Sequence, residues 1–133
     1  MQQHVNSSGY HVLRIGMGIT FFWIGILIWK DPAGWGGFLQ PWALKLLIMP
    51  IEQVMAITAV SDIILGILLL TNAWTFLASS IASIHLLVIL ITSGINEVTV
   101  RDIGLLGGSI ALAVSSWPGH IKNILMKIRE ESQ

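Results

Sequence analysis

The chain alternates long apolar runs with short polar breaks. A bilayer-spanning helix needs about 20 mostly apolar residues. Four stretches approach that length: 12–29, 54–70, 73–93 and 102–117. The first carries Arg14 at its start, the second Asp62 inside it, and the third His85 near its middle. The fourth is short for a span, though Val98 and Val100 extend its apolar character across Arg101 and Asp102. None of the runs shows the wide polar stripe that a solvated helix needs. The pattern therefore predicts an all-α polytopic membrane protein, a four-transmembrane-helix bundle formed by a single domain.

The connections sharpen this picture. Thr71-Asn72 leaves so little chain between the second and third spans that they must form an antiparallel hairpin. The first connection is the longest and opens with a Gly/Pro-rich piece, residues 31–37. Pro41 and Pro50 then bound an apolar segment, where proline suits a helix start and stops a helix from continuing. Residues 41–49 are too few to span, so they predict a short interfacial or re-entrant helix. Residues 120–130 place Ile121, Ile124, Leu125 and Ile128 at helical spacing among charges, which predicts an amphipathic tail on the membrane surface.

Composition agrees with a membrane protein. Of 133 residues, 54% are hydrophobic and only 11% charged, and mean hydropathy is +0.78. Soluble domains carry about 25% charged residues. Seven basic residues balance seven acidic ones, so nothing points to nucleic acid. The lack of cysteine excludes disulfides, thiolate metal sites and thiol redox chemistry by this chain. Residues 1–11 hold no Lys or Arg, and no small-x-small cleavage site follows the first run, so that run reads as a retained span. Arg14, Lys122, Lys127 and Arg129 fall on one side of the four-span layout, against Lys30, Lys45 and Arg101 on the other. The excess favours cytoplasmic termini. Trp29, Trp74 and Trp117 fall at span ends, where indoles prefer the headgroup zone.

Helices in lipid approach closely through small residues. Gly18 and Gly25 mark one face of the first span, and Ala78 and Ala82 one face of the third. In the fourth, Gly104-x-x-x-Gly108 and the Gly107, Ala111, Ser115 series predict packing, within the bundle in preference to a homo-oligomer.

Candidate chemistry lies in the ionisable groups, each of which costs at least about 2.5 kcal/mol near the bilayer centre. Thr58 and Gly66 share a face with Asp62, and Ala78, Ala82 and Thr92 share one with His85, so both groups should point inward. Counting from the hairpin, at about 1.5 Å per residue, their depths differ by about 5 Å. An interior polar site of Asp62, His85 and Arg14 follows. It suits a quinone headgroup, a proton relay or a small polar ligand; a clasp that fixes helix register is the alternative. One inward histidine offers a haem only one axial ligand. His4, His11 and His120 share a membrane face but read as scattered surface residues, so no metal site is expected. Asn96, Glu97, Arg101 and Asp102 form a candidate rim near Lys30 and Asp31, with loop pairing as its default role.

Three stretches resemble the DoxX-like family. Residues 13–25, LRIGMGITFFWIG, with Lys30 beyond them, resemble its opening span. Residues 61–70, SDIILGILLL, resemble its acidic residue followed by Gly and a Leu run, although the family more often carries Glu where Asp62 stands. Residues 96–112, NEVTVRDIGLLGGSIAL, resemble its last loop and span. The resemblance covers about residues 12–119. It implies a four-helix membrane protein, a subunit of a quinone-linked oxidoreductase system in a bacterial or archaeal cytoplasmic membrane. It also implies a bound quinone, no intrinsic cofactor, and a redox partner protein carrying any metal or flavin. Arg14, Asp62 and the rim residues are the positions carried over; His85 comes from the residue pattern alone. A non-catalytic scaffold or small-solute binder with the same bundle is the competing expectation.

Overall fold

The computed structural model describes the backbone of residues 2–133, and the side chains of all but residues 1–7 and 120–122. Seven helices follow one another: α1 (Gln2–Lys30), α2 (Pro32–Gly36), α3 (Pro41–Lys45), α4 (Ile51–Leu70), α5 (Thr75–Ser93), α6 (Val100–Ser115) and α7 (Gly119–Glu131). No strand occurs among the described residues. Three helical segments are long and apolar enough to cross a membrane: Ser8–Lys30, Ile51–Leu70 and Thr75–Ser93. On that ground the chain is an integral membrane protein.

The boundaries differ from the sequence reading where local chemistry decides them. α4 starts directly after Pro50, three residues earlier than expected, because proline at its N-cap needs no donor there. α5 starts at Thr75 rather than 73, since Asn72 and Trp74 take left-handed φ of 55° and 49° and close the hairpin instead. The Asn72 side chain accepts bonds from the Thr75 and Tyr10 hydroxyls, at 2.8 and 3.2 Å. α6 covers 100–115 and is shorter than the three spans. The segment bounded by Pro41 and Pro50 is helical only to Lys45. The Gly/Pro-rich piece holds α2, with Pro32 in its first turn and the Asp31 carboxylate accepting the Gly34 N–H at 3.0 Å.

Four helices form a ring. α1 packs chiefly on α4, and α5 on α6; α4 meets α5 and α6 meets α1 more lightly. Glycine sets the first interface. A Cβ on Gly66 would lie 2.6 Å from the Phe22 nitrogen and 2.8 Å from the Gly18 oxygen, so the two backbones touch here. Gly25 likewise faces Ala59 and Ile63, and Gly18 faces Leu70. In the second interface Ala78 and Ala82 are fully buried, and the Ser83 hydroxyl donates to Ser109 at 2.9 Å. The small residues of α6 act differently from expectation. Gly108 lies against Met17 and Leu13, whereas Gly104 and Gly107 have nothing near their Cβ positions, and Ala111 and Ser115 are exposed.

Two apolar clusters result. Met17, Phe21, Leu65, Leu69, Ala82, Leu86 and Leu112 fill the half of the ring nearer the α4–α5 hairpin. Ile28, Met55 and Ala59 bind α1, α4 and α2 together at the opposite end. Between the second cluster and the α5–α6 pair the ring is not filled.

Candidate functional site

That unfilled space is a cavity of about 940 Å³, lined by α1, α4, α5, α6 and the connection between α1 and α4. Its walls are mainly Ile, Leu, Val, Phe and Trp, with a few polar groups converging on them, the usual make-up of a small-molecule site. Trp35, Leu39 and Leu47 close the end formed by the first connection. The Gln40 N–H donates to the Thr92 carbonyl at 2.9 Å and ties that connection to α5. Gly94 ends α5 with φ 69°, and a Cβ there would lie 2.2 Å from the Gln40 side-chain nitrogen. The left-handed φ requires glycine here, and a larger residue would also displace the end of the Gln40 side chain.

Asp62 and His85 sit on the cavity wall. His85 Nε2 lies 3.0 Å from Asp62 Oδ1, and this is the one ion-pair contact among the described residues. Asp62 is only 2% exposed, while the His85 side chain keeps 22% of its surface open. The two atoms are close but do not meet along a hydrogen-bond direction, and neither has another hydrogen-bond partner. Buried polar atoms are rarely left so. Both atoms are shut off from solvent and face one another, so the open part of the His85 ring is what the pair presents to the cavity.

Arg14 stands apart from this pair. It is buried at 7% exposure, and its Nη1 donates to the carbonyls of Leu69 and Leu70, the latter at 3.0 Å. Its Nη2 lies 3.2 Å from His11 Nδ1. Those carbonyls lie at the end of α4, where the helix dipole favours a cation; that of Leu69 also accepts the Asn72 N–H. Asp62 precedes Leu69 by seven residues, about 10 Å along the helix. Arg14 thus joins the α4–α5 hairpin end and leaves Asp62 and His85 on their own.

The four rim residues separate by role. Arg101 and Asp102 line the cavity, Asp102 is buried, and it lies within electrostatic reach of Asp62 and His85. Asn96 belongs to the turn before α6: its Oδ1 accepts the N–H groups of Val98 and Thr99 at 2.9 and 3.0 Å. Thr99 completes that turn by accepting the Asn96 N–H at 2.9 Å and donating to the Gly94 carbonyl. Glu97 is exposed and outside the cavity wall. Sequence reasoning missed the contributions of Thr20, Trp23 and Trp35 to the cavity, while Thr92 lines it on the inward face expected with His85. Only the spacing of Thr20 and Trp23 around one face of the first span could have signalled them.

His4 and His120 lie outside the residues whose side chains are described. Among the described residues no three His, Cys, Asp or Glu side chains come together in a way that could hold a metal ion. No family model, curated protein or solved structure matches the chain.

Proposed function

We propose that the chain is a DoxX-like membrane subunit of a quinone-linked oxidoreductase system, and that the cavity is its quinone site. The observation that carries this reading is the Asp62–His85 pair, with unsatisfied polar atoms, on the wall of an otherwise apolar cavity. The residues fit the group. A quinone has two carbonyl acceptors on a flat apolar ring; His85 supplies a donor, and Trp, Ile and Leu side chains supply ring contacts. When bound, the quinone would accept or deliver electrons and protons, with metal and flavin chemistry left to a redox partner protein.

The residues of this chain have separate tasks in that scheme. His85 orients the headgroup and holds a proton at Nε2. Asp62, 3.0 Å away, fixes the position of the imidazole from α4. The apolar wall excludes water and so strengthens each polar contact.

The same reading makes α6 the fourth span. Its 16 residues reach about 24 Å, and it runs back along α5 from a short turn. α3 lies at the interface, and the basic excess puts both termini in the cytoplasm of a bacterial or archaeal cell.

Binding of a decyl-substituted benzoquinone to protein in nanodiscs tests the proposal. Wild type should bind saturably, and Asp62→Asn and His85→Ala should each weaken binding at least tenfold. Wild type that fails to bind, with both variants folded and less stable, would instead favour the scaffold reading, in which the pair only clasps α4 to α5.

A further inference from the structure

We infer that the cavity is entered sideways, from the lipid phase, through the upper part of the α1–α6 interface, and that its ligand is an amphiphile with a neutral hydrogen-bonding headgroup. This rests on the cavity being a ligand site, and it adds the route and the headgroup charge.

The same face of α1 carries Leu13, Met17, Thr20, Ile24 and Leu27, at helical spacing. At its lower end Leu13 and Met17 press against Gly108, with Met17 Sδ 3.0 Å from the position of a Cβ. One turn further along α6 the packing stops. Gly104 has nothing within 4 Å of its Cβ position, although it lies on the side of α6 that Gly108 turns toward α1. Thr20, Ile24 and Leu27 line the cavity, as do Arg101, Gly104 and Leu105 across from them. The two helices touch at one level and are held apart above it.

The edges of this gap are apolar and open. Ile19 and Trp23 line the cavity and are also 55% and 61% exposed. A cavity residue with that much open surface on a spanning helix borders the lipid. The opposite interface differs, although Val88 of α5 also lines the cavity at 51% exposure. Between α4 and α5 the first connection lies across the cavity: Gln40 bonds Thr92, and Leu47 reaches the cavity wall beside Val54. Among the described residues no comparable contact ties the first connection to α6, and α2 packs chiefly on α4.

Charge narrows the ligand. Two acidic residues, Asp62 and Asp102, and two basic ones, His85 and Arg101, line the cavity in equal number. A carboxylate or ammonium headgroup would add an unbalanced charge in a low-dielectric space, where it is costly. A neutral headgroup adds none and can still meet the open side of the His85 ring. Its tail would lie in the gap between Trp23 and Gly104.

Lack of native cysteine makes the test clean. Thr20→Cys/Gly104→Cys, closed by a reducible bis-methanethiosulfonate linker in nanodiscs, should slow exchange of decyl-benzoquinone at least tenfold, and reduction should restore it. Decanoate and decylammonium should not compete. Unchanged exchange in the linked protein overturns the route, and competition by either charged amphiphile overturns the headgroup. If wild type binds no quinone, the quinone reading fails separately from the route. The route is then read from nitroxides on Thr20→Cys and Gly104→Cys. Accessibility to oxygen like that of a label on exposed Val114 supports lateral opening. Accessibility to a water-soluble nickel complex like that of a label on Glu97 refutes it.

Discussion

The His85 Nε2 atom lies 3.0 Å from Asp62 Oδ1, joining α5 to α4 across a cavity that separates these helices over much of their length. Few other contacts bridge the two, so the pair is the main polar link between the α1–α4 and α5–α6 halves of the ring at this depth. It also lies on the cavity wall, with the His85 ring partly open to it. Structural and functional roles therefore coincide in two residues and must be separated by measurement.

A double-mutant cycle does this. Asp62→Asn and His85→Gln keep size and change charge or bonding. Neighbours in one polar network couple by about 0.5–3 kcal/mol. Unfolding of the four proteins in mixed micelles should give a coupling within that range. Coupling near zero would mean that the pair does not hold the two halves together, and its conservation of geometry would then have to be explained by ligand binding alone.

Arg14 separates the hairpin end from the site. Arg14→Met keeps the stem but removes the guanidinium from the carbonyls of Leu69, which retains the Asn72 N–H, and Leu70. Hydrogen bonds to charged groups are worth about 1.5–3 kcal/mol. Stability should fall by about that amount, while quinone affinity of the folded fraction should stay within twofold of wild type. A tenfold loss of affinity in folded protein would return Arg14 to the site.

The α1–α4 interface depends on backbone contact. A methyl group at position 66 would overlap the Phe22 nitrogen and the Gly18 oxygen, neither of which can move without its helix. Overpacking of this kind costs about 1–3 kcal/mol. Gly66→Ala should therefore lower the midpoint of unfolding in a detergent titration, whereas Gly104→Ala and Gly107→Ala, which meet open space, should not. Equal effects at all three positions would show that helix propensity, and not packing, governs them.

The contrast among these glycines also shows what was legible in the sequence. Hydropathy and length located three spanning helices to within a few residues, because the bilayer imposes both. The tight Thr71-Asn72 turn fixed the relative depth of Asp62 and His85, and so brought them within reach of one another on paper. Rotation about each helix axis was not legible. Gly104, Gly107 and Gly108 are the same residue in the same run, yet only Gly108 meets a neighbour. Apolar residues face lipid as readily as they face a core, so periodicity carries little information about direction. Asp102 shows the same limit: its position beside Arg101 suggested a solvated rim, and the rotation of α6 buries it on the cavity wall. α2 was missed for another reason. Its Gly content hid an Asp31-Pro32 start signal that the side-chain bond to Gly34 makes effective.

The turn between α5 and α6 holds the mouth of the cavity, and Thr99 is its centre. Its hydroxyl accepts the Asn96 N–H and donates to the Gly94 carbonyl, while the Asn96 side chain accepts the N–H groups of Val98 and Thr99. Thr99 is almost fully buried, at 1% exposure, so water cannot replace it. Thr99→Val keeps shape and removes both bonds, leaving one donor and one acceptor unpaired at about 1–3 kcal/mol each. Thr99→Ser keeps both. Thr99→Val should thus loosen the start of α6, where Arg101 and Asp102 face the cavity, and speed amide exchange at Asn96 and Val98. Thr99→Ser should leave exchange near wild type. Comparable exchange in the two variants would mean that the methyl group's packing, and not the hydroxyl, holds the turn.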